Sequence, residues 1–201
     1  MSIFNHPIFR WTGKKRGEVS AVFALIAIID VLWGNAYPLD LFELNRLSLL
    51  CWALLITGVM IRVCGAGILH KKERLTMTGI YAMVKHPLYI GTSLIYLSFF
   101  LAFGNILLGL VLFILMILVV YYPRMLQEED YLAKAFPNEF EQYKKIPRFL
   151  PNPLLLPYAI KGNGFSLKRA YKNLGVRSLW ALILIPLFLK LLIRVKTQNL
   201  F

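Results

Sequence analysis

Residues 88–123 read LYIGTSLIYLSFFLAF, then GN, then ILLGLVLFILMILVVYYP. The runs 88–103 and 106–123 carry no charged residue and approach the roughly 20 residues a bilayer-crossing helix needs. Gly104-Asn105 between them is turn chemistry, which predicts a tight hairpin of two antiparallel membrane helices. Just before the first run stands a polar, basic stretch, residues 76–91, TMTGIYAMVKHPLYIG. Pro87 suits the first turn of a helix, where its missing N–H costs nothing. Lys85 and His86 are thereby placed beside a helix N-terminus, a position that favours anions.

The composition agrees with a membrane protein. The chain of 201 residues is 58% hydrophobic and 16% charged, with a mean hydropathy of +0.62. Its length is one domain's worth, so residues 1–201 read as a single integral-membrane domain. The formal charge of +13 must sit in loops, which points to an anionic lipid surface or anionic ligands. That charge is broken up between spans, which argues against a nucleic-acid partner. Cys51 and Cys64 fall on one predicted helix about 20 Å apart, too far to bridge. Neither stands at a metal-ligand spacing from a histidine, and no metal site is expected.

In chain order, the polar arm 1–18 carries Lys14, Lys15 and Arg16. The run after it lacks a small-residue cleavage site, so it reads as a first short span, 19–34, rather than a signal peptide. Asp30 near its far end is expected at the interface. A loop over 35–45 leads to a second span, 46–66, and to the connector His70-Lys71-Lys72-Glu73-Arg74. The long polar region is 124–177, and the last apolar run, 178–193, contains Pro186. Lys and Arg concentrate in the arm, the 70–85 connector and 124–177, which puts these three on the cytoplasmic side. The last run is the misfit. If it crosses, Arg194 and Lys196 end outside; a tilted, re-entrant or interfacial helix is the alternative. The expected fold is all-α: a multi-pass helical bundle of four to five transmembrane helices with a hairpin and a cytoplasmic catalytic segment near the C-terminus.

Two stretches carry the chemistry. The first is Gly79-Ile80-Tyr81 followed by Lys85-His86-Pro87-Leu88-Tyr89-Ile90-Gly91. The second is Arg124-Met-Leu-Gln-Glu128-Glu129-Asp130-Tyr-Leu132, leading through Phe136, Glu139, Phe140 and Tyr143 to Pro147 and Pro151. Arg124 and Glu128 are i,i+4 and share a helix face; on residue type alone they make a surface ion pair closing a span. Together the two stretches resemble the G-x-Y-x-x-x-R-H-P-x-Y-x-G and R-x-x-x-E-E-x-x-L signatures of the isoprenylcysteine carboxyl methyltransferase and phospholipid methyltransferase superfamily. The resemblance covers residues 55–152. Lys85 replaces the usual Arg, and Phe140 the usual Tyr. Gly65-Ala66-Gly67 fits a third element, a G-x-G; on their own such glycines mark close helix packing.

The resemblance implies S-adenosyl-L-methionine as cofactor, held by Gly65, Gly67, His86, Pro87, Tyr89, Gly91 and Glu129. It puts Arg124 and Glu128 on the acceptor side, Arg124 as a fork for a carboxylate or phosphate and Glu128 orienting it or receiving a proton. The acceptor is then a lipid or lipid-linked molecule, and the basic segment with Lys161, Lys168, Arg169, Lys172 and Arg177 either steers its headgroup or anchors to acidic lipid. Methylation of an anionic group is favoured by Arg124 and the basic loops. N-methylation of an amine headgroup, a nicotinamide-dependent membrane reductase, and a non-enzymatic scaffold or small transporter are the other readings.

Overall fold

The computed structural model describes residues 11–12, 15–70, 74–155, 157 and 164–198. Lys14, Lys71, Lys72, Glu73 and Lys161 lie outside the described residues. Helix α1 is Arg16–Trp33, α2 Arg46–Ile68, α3 Ile80–Met83, α4 Pro87–Ala102 and α5 Ile106–Met116. α5 continues through a π-helical turn, Ile117–Tyr121, into α6, Tyr122–Ala135. α7 is Pro137–Tyr143, α8 Leu167–Lys172, and α9 Ala181–Thr197, entered by the 3-10 segment Gly175–Trp180. No strand occurs among the described residues.

The protein is therefore an all-α membrane bundle. Arg46–Ile68, Ile106–Ala135 and Gly175–Thr197 are long and apolar enough to cross a bilayer, and Pro87–Ala102 is a shorter apolar helix. α1 carries Arg16, Glu18 and Asp30 within its 18 residues. The expected helices form with shifted ends, and α1, the expected first span, is not among those long and apolar enough to cross; α2 runs to Ile68, two residues past the expected stop. The helix begun at Ile106 does not end at 123. At about 1.5 Å per residue its 30 residues extend about 45 Å, beyond an apolar core of about 30 Å. The polar turns of α6 are thus an extension of a membrane helix.

The chain divides into two compact units. The first comprises residues Met1–Ile56, Ser93–Leu126 and Trp180–Phe201. Its core joins Leu41, Cys51, Leu101, Ala102 and Leu189. Asn105 secures the hairpin tip: its Oδ1 accepts from the Leu108 N–H as the N-cap of α5, and its Nδ2 donates to Asp30 Oδ2 at 3.0 Å. Gly104, at φ +90°, is required by close approach as well as by backbone conformation, since a Cβ there would lie 1.9 Å from the Tyr37 carbonyl oxygen.

Lys196 ties the last helix to the first. Its Nζ donates to the carbonyls of Val31, Gly34 and Ala36 at 2.7, 2.9 and 2.8 Å. These are the carbonyls at and just beyond the C-terminal end of α1, where the helix dipole is negative. Lys190 adds an ion pair with Asp40 at 3.7 Å. The C-terminal end of α9 therefore lies beside the 34–40 loop, and α9 runs parallel to α1 without doubling back. Its helix passes through Pro186, which is buried. Lys196 is thus a cap on the C-terminal end of α1.

The second unit comprises Thr57–Thr92 and Gln127–Leu179. Here α2 and α4 approach closely at glycine: a Cβ on Gly91 would lie 2.6 Å from the Gly58 carbonyl oxygen, and one on Gly65 3.1 Å from Leu88 Cδ2. The open carbonyls at the end of α2 are filled from the far C-terminal segment. Asn173 Nδ2 donates to Ala66 and Leu69, and the Ser166 N–H and Arg169 Nε donate to Gly67.

Asn105→Ala removes both a cap and the amide bond to Asp30, and is expected to cost about 1–2 kcal/mol in thermal unfolding of the detergent-solubilised protein. Asp30→Ala on that background should cost less than Asp30→Ala alone. Strict additivity would show that the Asn105–Asp30 bond contributes nothing.

Candidate functional site

The site is built by four segments of the second unit. Gly79, at φ +59° against the Ile68 side chain, starts the short α3. Lys85 and His86 follow, and the His86 carbonyl accepts from the Tyr89 and Ile90 N–H groups as α4 begins at Pro87. α6 supplies Glu128 and Glu129. The segment after α7 is pinned back on the first stretch: the Lys85 N–H donates to the Pro147 carbonyl at 2.9 Å, the Asn152 N–H to Met83 at 3.1 Å, and Tyr143 Oη reaches the Lys85 carbonyl at 3.5 Å. Glu139 Oε2 accepts from the Leu75 N–H at 3.2 Å.

This folding brings the two signature stretches into contact. His86 Nε2 lies 3.0 Å from Glu129 Oε1, across 43 residues of sequence. Arg148 grips the same carboxylate with both prongs, Nε to Oε1 at 2.7 Å and an Nη to Oε2 at 2.8 Å. Lys85 Nζ stands 3.6 Å from Oε2 and 5.3 Å above the Tyr143 ring. Lys85, His86 and Glu129 are all buried. Distance orders the contacts: the charge-assisted fork of Arg148 is strongest, His86 follows, and Lys85 adds a longer-range attraction. Two cations, Lys85 and Arg148, thus meet on the Glu129 carboxylate, with the second carboxylate, Glu128, beside it on α6.

Tyr143 and Tyr81 line the same region. Burial, then the negative charges of Glu129 and Glu128, push the Tyr143 hydroxyl well above the ordinary phenol range. Both tyrosines therefore keep their protons (Tyr81 for like reasons, below), and Tyr143 directs its own toward the Lys85 carbonyl.

Of the expected site residues, His86, Pro87, Tyr89 and Glu129 gather here, with Tyr89 edge-on to His86 at 5.7 Å. Glu128 is half-buried on α6 next to Glu129. Arg124 lies one turn earlier on that helix and belongs to the first unit. Gly91 and Gly65 are packing positions between α2 and α4. Gly67 is covered: a Cβ there would lie 2.3 Å from the Phe165 ring. Lys85, whose exchange for Arg left its role open in the sequence, is a buried partner of Glu129. Arg148 is the member that sequence reading passed over. It stands between Pro147 and Pro151, which attracted notice only for their spacing, and its signal was electrostatic, a cation following an acidic helix.

As a seat for a cofactor, the residues fit in part. The Gly65–Gly67 turn offers no open cradle, because Leu88 and Phe165 occupy the space the glycines leave. Of the four lone-pair directions of Glu129, three are taken by hydrogen bonds from His86 and Arg148, and Lys85 faces the carboxylate at 3.6 Å, so little of it is left open to a cofactor group. The cations Lys85 and Arg148 and the buried Tyr81 hydroxyl, which has no hydrogen-bond partner, fit a ligand bearing a carboxylate.

Glu129→Ala should be among the most destabilising single changes in the protein, about 3–5 kcal/mol, since it leaves buried cations without their counter-charge. Glu141→Ala, which breaks only the exposed pair with Lys144, should change the unfolding midpoint too little to resolve. Adding Arg148→Met to Glu129→Ala should recover part of the loss; no recovery would mean that Glu129 does not carry its weight through these cations.

Comparison with known proteins matches residues 46–139 to the phospholipid methyltransferase family model. The protein-S-isoprenylcysteine O-methyltransferase of Schizosaccharomyces pombe is 31% identical over 120 residues, 56% of this chain and 50% of that protein. The chain thus spans about half the length of that curated relative. No solved structure matches.

Proposed function

We propose that this chain is an integral-membrane methyltransferase, as the match of residues 46–139 to the phospholipid methyltransferase family model supports, and that it transfers a methyl group from S-adenosylmethionine to the carboxylate of a lipid or lipid-linked acceptor at the cytoplasmic face of the membrane, with residues 1–201 working as one domain. The observation that carries this reading is the contact between the two signature stretches, His86 with Glu129, and the two cations, Lys85 and Arg148, that converge on the same carboxylate. An anionic acceptor is drawn to such a cluster, whereas an ammonium headgroup is repelled. The relative's name, an isoprenylcysteine O-methyltransferase, supports the same choice of acceptor.

S-adenosylmethionine, when bound, supplies a methyl group on a positively charged sulfur. A carboxylate acceptor already carries the lone pair the transfer uses, so no residue has to remove a proton. The chain's task is positioning and charge. Glu129 fixes the Arg148 fork and the Lys85 ammonium in place. Arg124, one turn before Glu128 on α6, is assigned to the acceptor's carboxylate, with Glu128 setting its orientation. His86, Tyr89 and the start of α4 are assigned to the cofactor. The continuation of a membrane helix into polar α6 lets an apolar acceptor tail remain in lipid while its carboxylate reaches these residues.

Membranes containing the protein, given methyl-labelled S-adenosylmethionine and a farnesylated cysteine with a free carboxylate, should yield label that mild base releases as methanol. Base-stable label on a phospholipid amine would establish N-methylation instead, and no label with no cofactor binding would overturn the methyltransferase reading. Arg124→Ala should abolish turnover while leaving cofactor binding within about twofold, whereas Glu129→Ala should weaken cofactor binding. Equal loss of binding in both would show that the acceptor and cofactor sides are wrongly divided.

A further inference from the structure

Tyr81 has no task in this scheme, and its surroundings give it one. Its side chain is 6% exposed, on α3. Among the described residues its hydroxyl is one of very few buried side-chain atoms with no hydrogen-bond partner. A buried phenol ordinarily finds a partner, and phenylalanine would fill the same volume without stranding a polar atom. The position is held from several sides: the Tyr81 N–H donates to the Thr78 carbonyl, Ala82 to Gly79, and Asn152 to Met83. The orphaned hydroxyl is therefore a fixed feature of the fold.

Its neighbours belong to the candidate site. Glu128, Tyr143, Tyr89 and Arg62 all act on it electrostatically, and burial, then Glu128, raise the Tyr81 hydroxyl far above the ordinary phenol range. It keeps its proton and can only be completed by an acceptor atom. Glu128 is the larger charge on it and Arg62 the cation among these four; with Lys85 and Arg148 on the neighbouring Glu129, Arg62 supplies the positive charge that an anionic acceptor requires.

We propose that Tyr81 is a ligand-contacting residue whose hydroxyl donates a hydrogen bond to a carboxylate oxygen of a bound ligand. The inference rests on the methyl-transfer reading, in which two molecules carry such a group: the methionine end of the cofactor and the methyl acceptor.

Tyr81→Phe in the full-length protein tests it through stability and binding together. The unfolding midpoint without ligand should stay unchanged or rise, because the variant removes only an unsatisfied group. Binding should weaken by about tenfold to a hundredfold, the range for a hydrogen bond to a charged partner. If the loss is in the dissociation constant of S-adenosylmethionine, the carboxylate is the cofactor's. If cofactor affinity is kept and the KM for a farnesylated cysteine rises, it is the acceptor's. Unchanged values for both would overturn the proposal, as would a lowered midpoint, which would reveal a structural hydrogen bond within the protein. A wild-type protein that binds neither ligand would overturn the methyl-transfer reading and this inference with it; a wild-type protein that binds, matched by Tyr81→Phe, would overturn this inference alone.

Discussion

The second unit depends on one buried carboxylate. Glu129 loses its hydration on α6, a cost that a single partner seldom offsets in a low-dielectric site. Three side chains from two other segments offset it: Arg148 through a two-pronged contact, His86 at 3.0 Å and Lys85 at 3.6 Å. None of these partners is local in sequence, so the interaction does more than offset a charge. It fixes where the 85–91 turn and the 143–152 segment stand against the polar end of a membrane helix. The backbone contacts from Lys85 to Pro147 and from Met83 to Asn152 follow the same seam.

The first unit is organised by a comparable use of charge. Lys196 gives its three protons to three carbonyls at the end of α1, a helix terminus that has no internal donors for them. This accounts for a cation at the far end of the last apolar helix, where loop charge alone would not put one.

What could be read from sequence follows the range of the interactions. The hairpin was legible because Gly104-Asn105 is a local signal between uncharged runs, and the structure adds that Asn105 also reaches Asp30. Pro87 marked the start of α4 for an equally local reason. Helix ends shifted by a few residues where propensity alone set them, as at Ile68. The partnership of His86 with Glu129 was legible only as co-occurrence of two motifs. Arg148 was not, because a single cation in a basic region is one of many until the fold shows which carboxylate it meets. Gly67 went the other way: a glycine suggestive of a ligand contact lies under Phe165, a residue 98 positions later that no local pattern connects to it.

These contacts divide the candidate site into groups that are satisfied and groups that are not. Glu129 takes three hydrogen bonds from its own chain and a longer ion pair with Lys85, and these contacts hold Arg148 and Lys85 at fixed positions. The Tyr81 hydroxyl is the clearest unsatisfied group in the second unit, buried and neutral, and it lies among Glu128, Tyr89 and Tyr143. Folding alone gives no reason to retain a hydroxyl there, since a phenylalanine would be no worse packed. A ligand that brings its own acceptor oxygen supplies the reason.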